Sequence, residues 1–268
     1  MQVYREIPII TNQPGNTEKQ QVTHHLFSYK SILEKSNLAQ WLEDSVPLIK
    51  DILQRNKTPI LVGGTGMYLK AIVEGISPIP EIPEDFRNEI SRKYDALGAE
   101  NFYKEFKNKD PQAAKQIKPH DKIRITRAYE VIQFTGKSIH QWQSENEKFF
   151  PEHNFNIIFL NKNRDDIYRK INARFENMLK NGVLEEAEKA SNIFDQTSLN
   201  KTELEALPAY KAHGLREVIS YIKGSLTIQE AIKMSQQATR NYAKRQFTWW
   251  RGWSKKLIDK PNIKITEI

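Results

Sequence analysis

No cysteine occurs among the 268 residues, so a disulfide framework, a thiolate-ligated zinc site and a thiol nucleophile are all excluded. No apolar run approaches the roughly 20 residues that span a bilayer. The N-terminal stretch Met1-Gln2-Val3-Tyr4-Arg5-Glu6 has no apolar signal-peptide core. The expectation is a soluble, cytoplasmic protein with no membrane partner. Internal repeats and low-complexity tracts are also missing. The six histidines, His24, His25, His120, His140, His153 and His213, show no metal-ligand spacing, so no metal-ligating residue is predicted. No carboxylate pair stands out as an acid and its base. Glu185 and Glu186, just after Gly182, read as the first turn of a helix, where negative charge is favourable.

What the chain does have is positive charge, and it is unevenly placed. The formal net charge is +8, and 13 Lys or Arg face only 6 Asp or Glu from residue 201 onward, against 28 and 27 before it. A basic segment rich in aromatics suits a polyanion such as nucleic acid or a diphosphate. On charge alone, a solvated basic helix face fits equally well.

Hydrophobic periodicity sets the organisation. Leu38, Leu42, Val46, Ile49 and Leu53 step by four, four, three and four, which predicts an amphipathic helix ended by Lys57-Thr58-Pro59. Residues 1–37 carry few pattern signals and read as loop. The wholly apolar Ile60-Leu61-Val62, followed by Gly63-Gly64, predicts a buried parallel strand and a tight turn. Three prolines between Ser77 and Pro83 mark a boundary. Helix is then expected from Glu84 to about Phe149, with breaks at Asp110-Pro111 and Lys118-Pro119. Residues 155–160 give a second buried-strand candidate. Helices follow over about 164–181 and 182–193, and a long one over about 227–251. The predicted fold class is α/β, a parallel-sheet core with an all-α insertion. Its segments are 1–78 (core), 79–150 (insertion) and 151–268 (core with the basic C-terminal helix).

Several local patterns carry chemistry. Gly63-Gly64-Thr65-Gly66 after an apolar run lets backbone approach a ligand at the carboxyl end of a strand, with the Thr65 hydroxyl presented there. A strand–helix turn that needs small residues is the plainer explanation. Gly136-Lys137-Ser138 imitates the end of a phosphate-binding loop, but residue 131 is Val131 and the preceding residues read as helix, so it is taken as a helix C-cap. Arg124 and Arg127 share a helix face and could clamp phosphates, or lie solvated beside Asp121 and Glu130. The densest cluster runs from Thr239 to Trp253, with Arg240, Lys244 and Arg251 on one helix face. Its three tryptophans must pack in a core or stack on bases.

Taken together these stretches resemble one family, the tRNA dimethylallyltransferases. The resemblance rests on MQVYREI (1–7), HHLF (24–27), PILVGGTGMYLKAIVEG (59–75), RITRAYEVIQFTGKSI (124–139), KINARFENMLKNGVLEEA (170–187), AHGLREVISYIKG (212–224) and TRNYAKRQFTWWRGW (239–253). It implies a fold related to P-loop kinases whose helical insertion grips the tRNA anticodon stem-loop. It implies transfer of the dimethylallyl group of dimethylallyl diphosphate to the exocyclic amine of the adenine 3′ to the anticodon, with Mg2+ assisting. It also implies a monomer.

The resemblance assigns roles by position. Thr65 is the catalytic candidate and contacts the target adenine. Met1 and Gln2 match a tRNA-contact segment, and Arg87 matches an arginine at the start of the insertion. Ile123, Arg124, Ile125, Thr126 and Arg127 match a tRNA-binding stretch. Two further stretches are Lys211, His213, Gly214 and Arg216, then Lys244, Arg245, Gln246, Phe247, Thr248, Trp249, Trp250 and Arg251. Arg240 and Lys244 are the diphosphate-binding candidates.

There are also departures. The family's P-loop strand and its catalytic Asp precede the position matched by Met1, and none of the 11 glycines opens a G-x-x-x-x-G-K-[ST] pattern. The expectation is a member without its first βα unit, whose catalysis by this chain alone is in question. The alternative is a catalytically inactive tRNA-binding remnant. In Ala212-His213-Gly214-Leu215 the family usually has an aliphatic residue before the glycine and a tyrosine after it.

Overall fold

The computed structural model describes residues 1–268. The chain forms two compact units, one of Met1–Tyr68 with His153–Ile268 and one of Leu69–Glu152. The first junction therefore falls before the proline cluster, which lies inside the second unit.

In the first unit a short α1 (Asn16–Gln21) precedes α2 (Leu38–Gln54), and α3 (Gly66–Glu74) begins there and runs on into the second unit. The predicted period forms α2. Asn37 caps it, accepting from the Gln40 amide at 3.0 Å while the Gln40 side chain accepts from the Asn37 amide at 3.3 Å. A reciprocal cap of this kind is worth about 1 kcal/mol.

The second unit holds α4 (Glu84–Lys109), α5 (Pro111–Ala114), α6 (Lys122–Thr135) and α7 (Ile139–Ser144). Gly98, at φ 73°, interrupts α4. The helices of this unit close over Phe102, Phe106, Ile125 and Tyr129, all fully buried. Lys93 donates to both Glu105 and the Tyr129 hydroxyl, at 2.5 and 3.0 Å.

The first unit resumes with β1 (Phe155–Phe159), α8 (Arg164–Lys180), α9 (Val183–Asp195), α10 (Lys201–Ala206), a 3-10 turn at Ala209–Lys211, α11 (Leu215–Ile222), α12 (Ile228–Ser254) and β2 (Ile263–Glu267). β1 and β2 pair in parallel, Phe155 opposite Ile263 through Phe159 opposite Glu267. α12 locks onto this pair. The Trp250 ring stacks on Phe159 at 4.6 Å, and its indole N–H donates to Glu267 at 3.0 Å.

The N-terminal 37 residues are mostly loop, as expected, yet they belong to the core. Tyr4, Ile7, Ile10 and Ile32 are buried with Phe175, Val183, Phe194 and Leu215 of α8, α9 and α11. The Glu186 carboxylate on α9 fixes this segment, accepting from the amides of Ile9 and Ile10 at 2.6 and 2.8 Å.

The predicted strand at Ile60-Leu61-Val62 is corrected by the structure. These residues join no ladder, and Ile60 and Val62 are 82% and 83% exposed. A parallel strand is buried only when neighbouring strands flank it and helices cover it. Here no strand pairs with the run, and an apolar run alone cannot supply the pairing. Ile60→Thr and Val62→Thr are therefore expected to change unfolding free energy by no more than about 0.5 kcal/mol. Urea unfolding checks this; a loss above about 2 kcal/mol in either variant would place the run in the core.

Candidate nucleic-acid interface

α12 holds the glycine-rich loop. Tyr242, Gln246 and Trp249 recur at helical spacing along one face, and all three meet residues 64–66. The Gln246 amide donates to the Gly64 carbonyl at 3.0 Å, and the hydroxyls of Tyr242 and Thr65 lie 3.4 Å apart. A Cβ at Gly64 would overlap the Gln246 amide, and one at Gly66 would overlap the Trp249 ring. Two of the three glycines thus admit a helix rather than a ligand. Thr65 itself is exposed, with its hydroxyl free to meet a second partner.

The tryptophan question divides. Trp250 and Trp253 are buried, so they pack the core and are not available to bases. Trp249 packs against Trp253 at 4.9 Å and backs the loop. Phe247 meets Phe159 edge to face at 5.6 Å. Of the predicted contact stretch, Lys244, Arg245, Thr248 and Arg251 are the exposed members. They give the helix a cationic outer side.

Arg240 is held by neutral groups only, donating to Asn172 at 2.7 Å and to Gln237 at 2.8 Å. Neutral partners fix its orientation without cancelling its charge, which preorganises it for an anion. Its guanidinium and that of Arg164 both lie over the Tyr168 ring, at 6.0 and 5.7 Å.

The Lys211–Arg216 stretch is mixed. Lys211 is exposed. Gly214 is buried at φ 99° and starts α11, so its part is conformational. Arg216 donates to the Tyr210 carbonyl at 3.0 Å and lies over that ring at 4.9 Å. His213 packs on Tyr242 at 4.9 Å; burial, then the nearby Arg245 charge, holds its pKa below the ordinary imidazole range. At the N-terminus Met1 is half exposed and the Gln2 amide donates to the Asn12 carbonyl at 2.7 Å.

The second unit carries the other candidates. Ile123 and Arg124 are exposed at the start of α6, and Arg124 lies 3.4 Å from Asp121. Ile125 and Thr126 are buried, and Thr126 donates back to the Lys122 carbonyl at 2.7 Å. Their side chains build the helix and its core. The reason is helical geometry: five consecutive positions cannot all face outward. Arg127 and the exposed Arg87 both act on buried Glu130. Burial raises that carboxyl's pKa and the two arginines pull it down. Gly136-Lys137-Ser138 is indeed no phosphate loop. Gly136 caps α6 at φ 70°, Lys137 pairs with Glu145, and Ser138 caps α7 and donates to buried Asp110 at 2.5 Å.

Sequence reading missed Tyr242, whose partner lies 177 residues away. It also missed an open basic depression bordered by Lys162, Arg169, Lys170 and Asp166. No three His, Asp or Glu side chains converge in the chain. These residues do not fit a protein-built metal cage.

A long cationic helix here clamps a glycine-rich loop on a helix-rich α/β scaffold, an arrangement with the charge to receive a polyanion. Comparison with known proteins sharpens this reading. The chain belongs to the IPP transferase family, whose model matches residues 2–253. It is 41% identical over 250 residues to the tRNA dimethylallyltransferase of Wolbachia sp. subsp. Drosophila simulans (strain wRi), covering 93% of this chain and 81% of the relative. Its structure resembles the full-length tRNA isopentenylpyrophosphate transferase of Bacillus halodurans, with 31% identity, a TM-score of 0.60, and coverage of 99% of this chain and 78% of that one. A eukaryotic dimethylallyltransferase solved in snapshots acting on tRNA shares the fold at a TM-score of 0.81 and 24% identity, over 100% of this chain and 65% of that chain. By family the chain is a prenyltransferase, with the P-loop-kinase-like α/β fold of that family.

Proposed function

We propose that this chain binds the anticodon stem-loop of tRNA and serves transfer of a dimethylallyl group from dimethylallyl diphosphate to the exocyclic amine of the adenine 3′ to the anticodon. The observation that carries the reading is the face of α12. It holds the Thr65 loop on one side and presents Lys244, Arg245 and Arg251 on another, within a chain of this family. In the reaction the amine nitrogen bonds to the allylic carbon as the carbon–oxygen bond breaks. The electron pair leaves with the diphosphate, and the amine proton passes to solvent or to the released diphosphate. Arg240, with an uncancelled charge, and exposed Lys244 are the groups suited to the departing diphosphate. A stacked adenine is out of reach, so the base must be turned out toward Thr65. Magnesium would travel with the diphosphate, held mainly by phosphate oxygens and water. On this reading the protein acts as a monomer in the cytoplasm.

The test mixes the purified chain with unmodified tRNA, magnesium and labelled dimethylallyl diphosphate, and measures tRNA retention and label transfer. Retention with transfer supports the full reading. Retention without transfer narrows it to tRNA binding by this chain. Loss of retention overturns it. Lys244→Ala is expected to weaken tRNA binding uniformly across sequences and to reduce the slope of log affinity against log salt by about 1, measured by filter binding at several salt concentrations.

A further inference from the structure

The exposed Thr65 side chain has one side-chain partner, the Tyr242 hydroxyl at 3.4 Å. The loop residues Gly63, Gly64 and Thr65 are all exposed, so burial does little to choose the direction of that hydroxyl. The Tyr242 ring, by contrast, is held. His213 packs on it at 4.9 Å and the Arg245 guanidinium lies 5.6 Å from its centroid. One turn further along α12, Gln246 anchors the same loop through the Gly64 carbonyl. A fixed hydroxyl thus meets a free one at the point where the loop is tied to the helix.

We propose that Tyr242 is a positioning residue: its hydroxyl sets the rotamer of Thr65, so that the Thr65 hydroxyl is already directed when the nucleic acid arrives. The role of Thr65 toward RNA rests on the function proposed above; the setting of its rotamer does not. The hydrogen bond takes the place that burial would fill for a core threonine. A hydroxyl directed in advance does not have to be ordered on binding, and removing that ordering cost is how preorganisation raises affinity.

The experiment has two readouts on the full chain. The first is the set of three-bond couplings about the Thr65 Cα–Cβ bond, measured by NMR on free wild type and on Tyr242→Phe, which keeps the ring and removes only the hydroxyl. Wild type is expected to show one rotamer and Tyr242→Phe an average, at unchanged melting temperature. Equal couplings in the two proteins would overturn the proposal. The second is affinity for an unmodified anticodon stem-loop. Thr65→Val and Tyr242→Phe are each expected to lose about 3- to 10-fold, and the double variant no more than the worse single. Additive losses would mean that Tyr242 meets the RNA on its own account, which also overturns the proposal. Wild type that binds no stem-loop refutes the proposed function alone, and the couplings still decide whether Tyr242 positions Thr65.

Discussion

Replacing Glu186 with Ala is expected to destabilise the first unit by about 3 to 4 kcal/mol. The residue is 7% exposed, and its carboxylate accepts from two consecutive backbone amides, those of Ile9 and Ile10. Removing it strands one buried donor, the Ile10 amide, and one half-buried donor, the Ile9 amide, the buried one at about 1 to 3 kcal/mol, and opens a void among Val183, Ala187 and the N-terminal isoleucines. That loss is a large share of a stability of about 5 to 15 kcal/mol. It would fall on a segment without regular structure, so the N-terminal residues should loosen first. Urea unfolding gives the magnitude, and amide exchange at Ile9 and Ile10 gives the place. A loss below about 1 kcal/mol, with both amides still protected, would mean that burial of Tyr4, Ile7 and Ile10 alone holds the segment. Glu186→Gln keeps one acceptor oxygen but turns an amide N–H toward a donor, so its loss should be intermediate.

The same residue sets a pH dependence. Burial raises the Glu186 pKa, and the two amide bonds oppose the rise without cancelling it. The folded pKa therefore lies above the unfolded one, and folding favours the protonated form. The stabilisation linked to this group is full below the unfolded pKa and is lost as pH rises through the folded value. The stability gap between wild type and Glu186→Gln should accordingly narrow as pH rises from the ordinary carboxylate range, and denaturant midpoints across that range measure it.

Glu186 also shows where sequence reading ends. A first-turn glutamate after Gly182 reads as a partner of its own helix terminus, which is a local property. Its actual partners are 176 and 177 residues away, and nothing local marks them. Locally determined features were legible. The 3.6-residue period drew α2 and α12, and the apolar run at 155–160 drew β1. Features that depend on a neighbour were not. Ile60-Leu61-Val62 has no strand to pair with, whereas β1 has β2; the expected burial of 155–160 is corrected, because a two-stranded sheet leaves one face open and Ile158 is 60% exposed. The pattern Ile263-Lys264-Ile265 of β2 is short and half polar, and its strand state comes from pairing with Phe155–Phe159. At the site, the loop, the basic helix and their candidate residues could be read directly. The division of that helix into a face that grips the loop, a face in the core and a face in solvent could not, because each face is defined by what it touches.

The glycine loop turns that division into a graded prediction. Gly63, Gly64 and Gly66 look equivalent in sequence, but a methyl group would meet a different obstacle at each. At Gly63 it meets nothing within 4 Å. Gly63→Ala should therefore be neutral or slightly stabilising, by up to about 1 kcal/mol through the unfolded chain. At Gly64 it meets the end of the Gln246 side chain, which can swing aside at the cost of its bond to the Gly64 carbonyl, about 0.5 to 1.5 kcal/mol. At Gly66 it meets the Trp249 ring, and that ring is backed by buried Trp253. A rigid ring cannot rotate out of the way, so Gly66→Ala forces the loop from the helix at about 1 to 3 kcal/mol. Trp249 would then gain solvent, and tryptophan emission should shift to the red in Gly66→Ala but not in Gly63→Ala. If the proposed function holds, anticodon stem-loop affinity should follow the same order, with Gly66→Ala losing about tenfold, the equivalent of 1.4 kcal/mol. Equal effects at all three positions would mean that the loop does not rest on α12. An effect on RNA affinity at Gly63 alone would mean that the ligand, rather than the helix, is what requires glycine there.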